Sequence, residues 1–279
     1  MNNTTTRTKF SLATQVQGWW RRQREAGRQQ ALRQRCPPAT VAASQIPDVV
    51  RAAWSRQAPA EFPGLAVDDG AWLRSTLGLA QFFEACRLQH GQGPCALPSK
   101  AADAVWHAWL QADPASLSAW QRRYFDREVP HQDAQSLGAP LEECLARTWA
   151  GACRSEGLSL VGPQLPLVFA LDDLLRLPTG WAYSHERGAL VHRQIDGFGQ
   201  ASGPVVTHAA VAASSLVALG LLSQTELDAA LRRRDSDGGT VSSPSSSPSS
   251  SPDGSCDAGS SGSCDGGSSC GSSCGGGGD

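Results

Sequence analysis

The chain has 279 residues, a formal net charge of −2, nine cysteines and no apolar run of the length that a single membrane-spanning helix needs. From Asp235 to Asp279 it is almost wholly Ser, Gly, Pro, Asp and Cys, with six aspartates (235, 237, 253, 257, 265, 279) and no base. That leaves 24 basic against 20 acidic residues in positions 1–234, a balance of +4 that is too small for a nucleic-acid footprint.

Residues 1–38 read as a basic N-terminal segment. Phe10, Leu12, Val16, Trp19 and Trp20 precede Arg21, Arg22, Arg24, Arg28, Arg33 and Arg35. The pattern suits a helix docked on the domain through its tryptophan pair. Peripheral membrane contact through Trp19/Trp20 and Arg21/Arg22, or an organelle transit peptide, are the alternatives. The apolar centre of a secretory signal is missing, and Pro37-Pro38 should end the helix.

Residues 39–160 are expected to form a helical domain. Thr40 or Ser44 can cap a helix that carries Ile46, Val49, Val50 and Trp54, and Pro63-Gly64 and Asp69-Gly70 mark turns. From Trp72 to Cys86 one side is continuously apolar, which predicts a central core helix, stopped by the Gly91 to Pro94 run. His90 lies where the negative end of that helix would hold it.

Pro98-Ser99 then opens a helix through Leu110, with Ser99 as its N-cap. Asp103 sits in the favourable first turn, and His107 follows four residues on, so the two side chains share one face at about 5–6 Å between Cβ atoms. A carboxylate so placed fixes an imidazole tautomer and raises its basicity. With His131 the pair offers an O/N/N donor set that suits zinc or iron, completed by water. Two other readings stand beside it: a buried Asp103/His107 hydrogen-bonded pair with Trp106 in the core, and a recognition face for a protein partner with Trp109 and Trp120 as exposed anchors.

Asp113-Pro114 starts another helix carrying Leu117, Trp120, Tyr124 and Phe125, with Arg122, Arg123 and Arg127 as a solvated edge. Leu141 to Cys153 reads as a helix with Pro140 at its first turn, where proline is tolerated.

Residues 161–234 change texture. The compact apolar run Leu167 to Leu175 precedes an alternating segment from Trp181 to Ile195. A two-residue turn at Arg187-Gly188 pairs Tyr183 with His192 and His185 with Leu190, which makes His185 and His192 diagonal neighbours. They read as polar edge residues of a small sheet or as weak metal ligands. Ser223-x-x-Glu226 is a capping box for a last helix, Thr225 to Arg234.

Residues 235–279 should be a disordered low-complexity tail, with Pro244, Pro248 and Pro252 spaced every four residues. Cys256, Cys264, Cys270 and Cys274 could wrap zinc or copper(I). The other five cysteines (Cys36, Cys86, Cys95, Cys144, Cys153) are scattered through helical pattern, which points to reduced core thiols and a cytoplasmic protein.

The order Pro98-Ser99, Asp103, Trp106-His107, Tyr124-Phe125 and His131 resembles the P-S-x-x-x-D-x-x-W-H signature of the glycine-rich domain protein family of plants and bacteria. The helix before it and the Leu141 to Trp149 segment after it are in register with that pattern, and the tail is similar to the glycine-rich ends of its members. The family's second histidine falls at Trp109 here, and a paired histidine near the motif's end is reduced to Pro130-His131. The resemblance implies no established chemistry or cofactor; some plant members are described as RNA-binding or developmental regulators.

The reading is therefore mainly α, with a minor β-hairpin and a disordered tail. The expected function is a non-enzymatic interaction or scaffold domain, with a metal- or small-ligand-binding domain centred on Asp103/His107 as the alternative.

Overall fold

The structure, a computed structural model, describes residues 12–237. The helices in chain order are α1 (Leu12–Arg35), α2 (Pro37–Ala43), α3 (Asp48–Glu61), α4 (Asp69–Leu88), α5 (Lys100–Ala112), α6 (Pro114–Phe125), α7 (Leu141–Ser155) and α8 (Leu167–Leu174). Strands β1 (Trp181–Glu186), β2 (Ala189–Ile195) and β3 (Ala201–Thr207) follow, then α9 (Ala213–Ala218) and α10 (Gln224–Asp237). The fold is mainly α, as the periodicity implies. The tail and its four cysteines lie outside the described residues.

Helix α4 is the axis of the core. Every residue from Ser75 to Cys86 is buried, because neighbours cover it on all sides. Two glycines let those neighbours come close. A Cβ on Gly151 of α7 would lie 2.6 Å from the carbonyl oxygen of Ala85, and one on Gly78 of α4 would lie 2.5 Å from Leu171 Cδ2 of α8. Phe83 of α4 meets Trp106 at 4.9 Å and Trp120 at 5.6 Å, both edge on, which joins α4 to α5 and α6. Gln81, fully buried, accepts from the Val168 amide at 2.7 Å and so ties α4 to the start of α8.

Local signals set most helix boundaries. Ser99 Oγ accepts from Ala102 N and caps α5, Asp113 accepts from Ser116 N and caps α6, and Ser223 and Glu226 bond reciprocally at the start of α10. Neither Thr40 nor Ser44 is the N-cap of a helix; Ser44 instead ends α2 as its C-cap. Pro37 and Pro38 open the short α2 with Thr40 inside it, and α3 begins after Pro47 without a side-chain cap. Pro140 likewise precedes α7 rather than lying in its first turn.

The hairpin takes the register that its turn requires, with Tyr183 opposite His192 and His185 opposite Leu190. Arg187 and Gly188 both have positive φ (51° and 85°), as a two-residue turn of this hand needs. A third antiparallel strand, β3, adds to β2, so the sheet order is β1-β2-β3 rather than an isolated hairpin. Its alternation is hidden by Gly203 and Pro204 and by exposure along most of its length.

At the N-terminus, the Arg35 side chain holds the end of α1, donating to Glu156 at 2.6 Å and to the Leu165 carbonyl at 2.7 Å. Trp20 is exposed, so its ring is not the buried anchor that a docked tryptophan pair requires. The side chains of Trp19, Arg21 and Arg22 lie outside the described residues. Among the described residues no helix is long and apolar enough to cross a membrane. The five cysteines at positions 36 to 153 are buried free thiols.

Candidate metal centre

The site is built from the N-terminal end of α5 outward. Asp172 of α8, only 1% exposed, accepts from Ser99 Oγ at 2.6 Å and from the amides of Lys100, Ala101 and Trp181 at 3.1 Å each. One buried carboxylate thus takes up two of the unpaired amides of α5 and fixes that end of the helix against α8 and β1. Burial pushes its pKa up, against the four donors that favour the ionised form.

Asp103 follows in the first turn of α5, and His107 one turn later puts Nε2 3.8 Å from Asp103 Oδ2. His131 arrives from the chain after α6. Asp126 ends that helix in the left-handed region at φ 64°, and the Val129 amide donates to the buried Gln121 at 2.6 Å, which turns the strand of loop back over α5. His131 Nε2 then lies 3.0 Å from Asp103 Oδ1, with its ring edge-on to Trp106 at 4.6 Å and 4.6 Å from the His107 ring.

One donor atom from each of Asp103, His107 and His131 lies within 4.8 Å of the other two. An ion bound at about 2.0–2.2 Å in tetrahedral geometry needs separations of about 3.3–3.6 Å, so the most distant donors must close by about 1.5 Å at most. The side chains are 35%, 37% and 28% exposed. They are therefore not a buried structural pair: solvent or a ligand reaches them. Beside His131 an open groove of about 330 Å³ runs along Trp106, Leu110, Leu117, Gln121 and Val129.

Trp109 and Trp120 are elsewhere. Trp109 is fully buried with Nε1 donating to Ser116 at 2.8 Å, and Trp120 is 5% exposed with Nε1 donating to the Ala42 carbonyl at 2.9 Å. Neither ring offers an anchor to a partner, because Trp109 on α5 is held by Ser116 of α6 and Trp120 on α6 is held by Ala42 of α2. His90 pairs with Arg127 through Nδ1 at 2.6 Å, and His185 packs edge-on against Trp149 at 5.4 Å.

One neighbour escaped the sequence reading. Glu61, at the end of α3, is exposed, yet partial desolvation by its neighbours raises its carboxyl pKa, with the charge of His107 lowering it, that of Asp103 raising it and that of Lys100 lowering it. It is a second acidic group within electrostatic reach of the centre. Nothing in the sequence near Glu61 signals this, because the approach is made by packing α3 on α5.

A family model described as UCP032817-like matches residues 59–203. No curated protein and no solved structure matches the chain. The match corrects the resemblance to the glycine-rich domain family. It spans the end of α3 to β3 and stops before the tail, so the Gly/Ser/Cys end contributes nothing to it. The residues shared with the other motif include several that any such helix needs, namely the Ser99 cap and the Trp106 core position. The family description names no activity, and function therefore rests on geometry. With residues 59–203 matched, over half of its length, the chain belongs to the UCP032817-like family.

Proposed function

We propose that the protein is a divalent-metal-binding domain, with Asp103, His107 and His131 as ligands and a small donor molecule or water completing the shell from the adjoining groove. The observation that carries this reading is the convergence of three donors from α5 and a loop 28 residues away, within 4.8 Å and each about one-third exposed. Two neutral imidazoles and one carboxylate make a borderline set, suited to zinc or iron(II) and poorly suited to calcium or magnesium, which prefer oxygen alone.

Support also comes from how the donors are held. Asp172 fixes the start of α5, Gln121 fixes the loop that brings His131, and Trp106 backs the His131 ring. A site on rigid supports binds without first ordering its ligands. Three protein ligands leave one position open, which is the arrangement of ligand-binding rather than closed structural zinc sites. The scaffold reading has less behind it, since the tryptophans that it needs at the surface are buried.

Equilibrium dialysis against zinc followed by metal analysis tests the proposal. The wild-type chain and a variant with Cys256, Cys264, Cys270 and Cys274 all changed to Ser should both hold one ion that is lost on His107→Ala or Asp103→Asn. A single-ligand change should weaken binding by about tenfold or more. Equal zinc retention by these variants removes the proposal.

A further inference from the structure

We propose that Glu142, His208 and His192 form a second chemical site, in which a carboxylate–imidazole–imidazole relay makes Nε2 of His192 a nucleophile toward activated acyl esters. The three residues come from separate elements: the first turn of α7, the segment after β3, and the middle of β2. Their atoms line up. Glu142 Oε1 lies 2.9 Å from His208 Nδ1, and His208 Nε2 lies 2.7 Å from His192 Nδ1.

The ring geometry marks this as a directed hydrogen bond. The two imidazoles are within 26° of coplanar with centroids 4.9 Å apart. That is the separation of rings meeting end to end through one nitrogen pair, with the lone pair of one aimed at the N–H of the other; stacked faces would lie closer. The protons are then assigned by what each group can do. An ionised carboxylate only accepts, so His208 carries its proton on Nδ1. Its Nε2 is left as an acceptor, which requires His192 to carry its proton on Nδ1. Nε2 of His192 is therefore an unprotonated lone pair.

Surroundings keep that nitrogen available. His208 is 3% exposed and locked between its two partners, whereas His192 is only partly buried. Among the described residues Nε2 of His192 has no hydrogen-bond partner, and it is not one of the buried unpaired atoms. Trp181 meets the His192 ring edge-on at 4.9 Å and Tyr183 sits 5.5 Å from the His208 ring, so aromatic rings wall the relay. Burial and His208 hold the His192 pKa down to about 4, which keeps Nε2 unprotonated at neutral pH. The charged and titratable groups facing it are Glu142, His208 and Tyr183, with Lys100 on the Trp181 ring at 4.7 Å.

The chemistry balances within this chain and water. Nε2 forms a bond to the acyl carbon, and the ester C–O bond breaks with its electron pair leaving on the alcohol oxygen. The Nδ1 proton of the resulting acylimidazolium passes to His208 Nε2, where Glu142 neutralises the new charge. Water then bonds to the acyl carbon through its oxygen and gives up one proton to the departed alkoxide, the C–Nε2 bond breaks with its pair returning to the ring, and His208 returns its proton to Nδ1 of His192. One ester and one water yield one acid and one alcohol. Without the relay a neutral imidazole of depressed basicity is a poor nucleophile; with it, positive charge moves off the attacking ring as the bond forms.

The test is hydrolysis of p-nitrophenyl acetate by the full chain in EDTA, which separates this site from the metal centre. We expect a rate at pH 7 about tenfold or more above an equal concentration of free imidazole, lost in His192→Phe and lowered about tenfold in Glu142→Gln, where the amide oxygen still accepts from His208. The rate should stay level from pH 6 to 8, where an ordinary histidine would inflect. A wild-type rate no greater than that of imidazole, or full activity in folded Glu142→Gln, overturns the proposal.

Discussion

Replacing Asp172 by Ala removes the acceptor for four groups at once: Ser99 Oγ and the amides of Lys100, Ala101 and Trp181. A buried donor left unpaired costs about 1–3 kcal/mol. Ser99 Oγ can rotate, and the Lys100 amide lies near water, so two of the four are expected to carry most of the loss. Removing a buried carboxylate also returns the desolvation that pushes its pKa up. The net expectation is about 3–5 kcal/mol, a large share of the total of about 5–15 kcal/mol typical of a domain. Asp172→Asn should lie between, at about 2–3 kcal/mol, because its NH2 faces donors on one side. Urea unfolding followed by tryptophan fluorescence measures both. A loss below about 1 kcal/mol for Asp172→Ala would refute the reasoning that this carboxylate organises the start of α5. Because Asp103 lies in the same first turn, zinc affinity should fall with stability.

Two further outcomes follow from the packing and the histidines. Gly151→Ala places a Cβ 2.6 Å from a backbone oxygen of α4, and because a helix backbone yields less than a side chain, thermal unfolding should report a loss of about 1–3 kcal/mol. His192 has its folded pKa lowered to about 4 from the 6.5 of an unfolded histidine. The unfolded chain therefore binds the proton more tightly, and stability is fully present above about pH 6.5 and falls as the pH drops toward 4. Allowing for solvent screening at a partly exposed ring, the loss is about 1–2 kcal/mol, and it should be absent in His192→Phe, so that it appears as the difference between wild type and that variant in pH-dependent melts.

Features whose cause lies within four residues were legible in the sequence. Ser99 and the Ser223/Glu226 box cap the helices that their positions imply, Asp113-Pro114 marks the start of α6, and Arg187-Gly188 set the hairpin register. Asp103 and His107 share a face because helix geometry alone places them there. What depends on packing was not legible. Asp172 reaches Ser99 across 73 residues, and His208 reaches Glu142 across 66. Trp109 reads as an exposed anchor in the sequence, yet it is fully buried and its Nε1 donates to Ser116 of α6. His131 was among the expected ligands, but its approach to Asp103 depends on the left-handed Asp126 and the Gln121 contact, neither of which the loop's composition reveals.

The central claim is that Asp103, His107 and His131 bind one divalent ion. Cobalt(II) titration of the variant lacking the four tail cysteines tests it most directly, because oxygen and nitrogen ligands give visible d–d bands without the thiolate charge-transfer band of a cysteine site. The account predicts one equivalent of cobalt with d–d absorption that disappears in His131→Ala. Saturating absorption unchanged in His131→Ala, or a spectrum indistinguishable from aqueous cobalt, would contradict it.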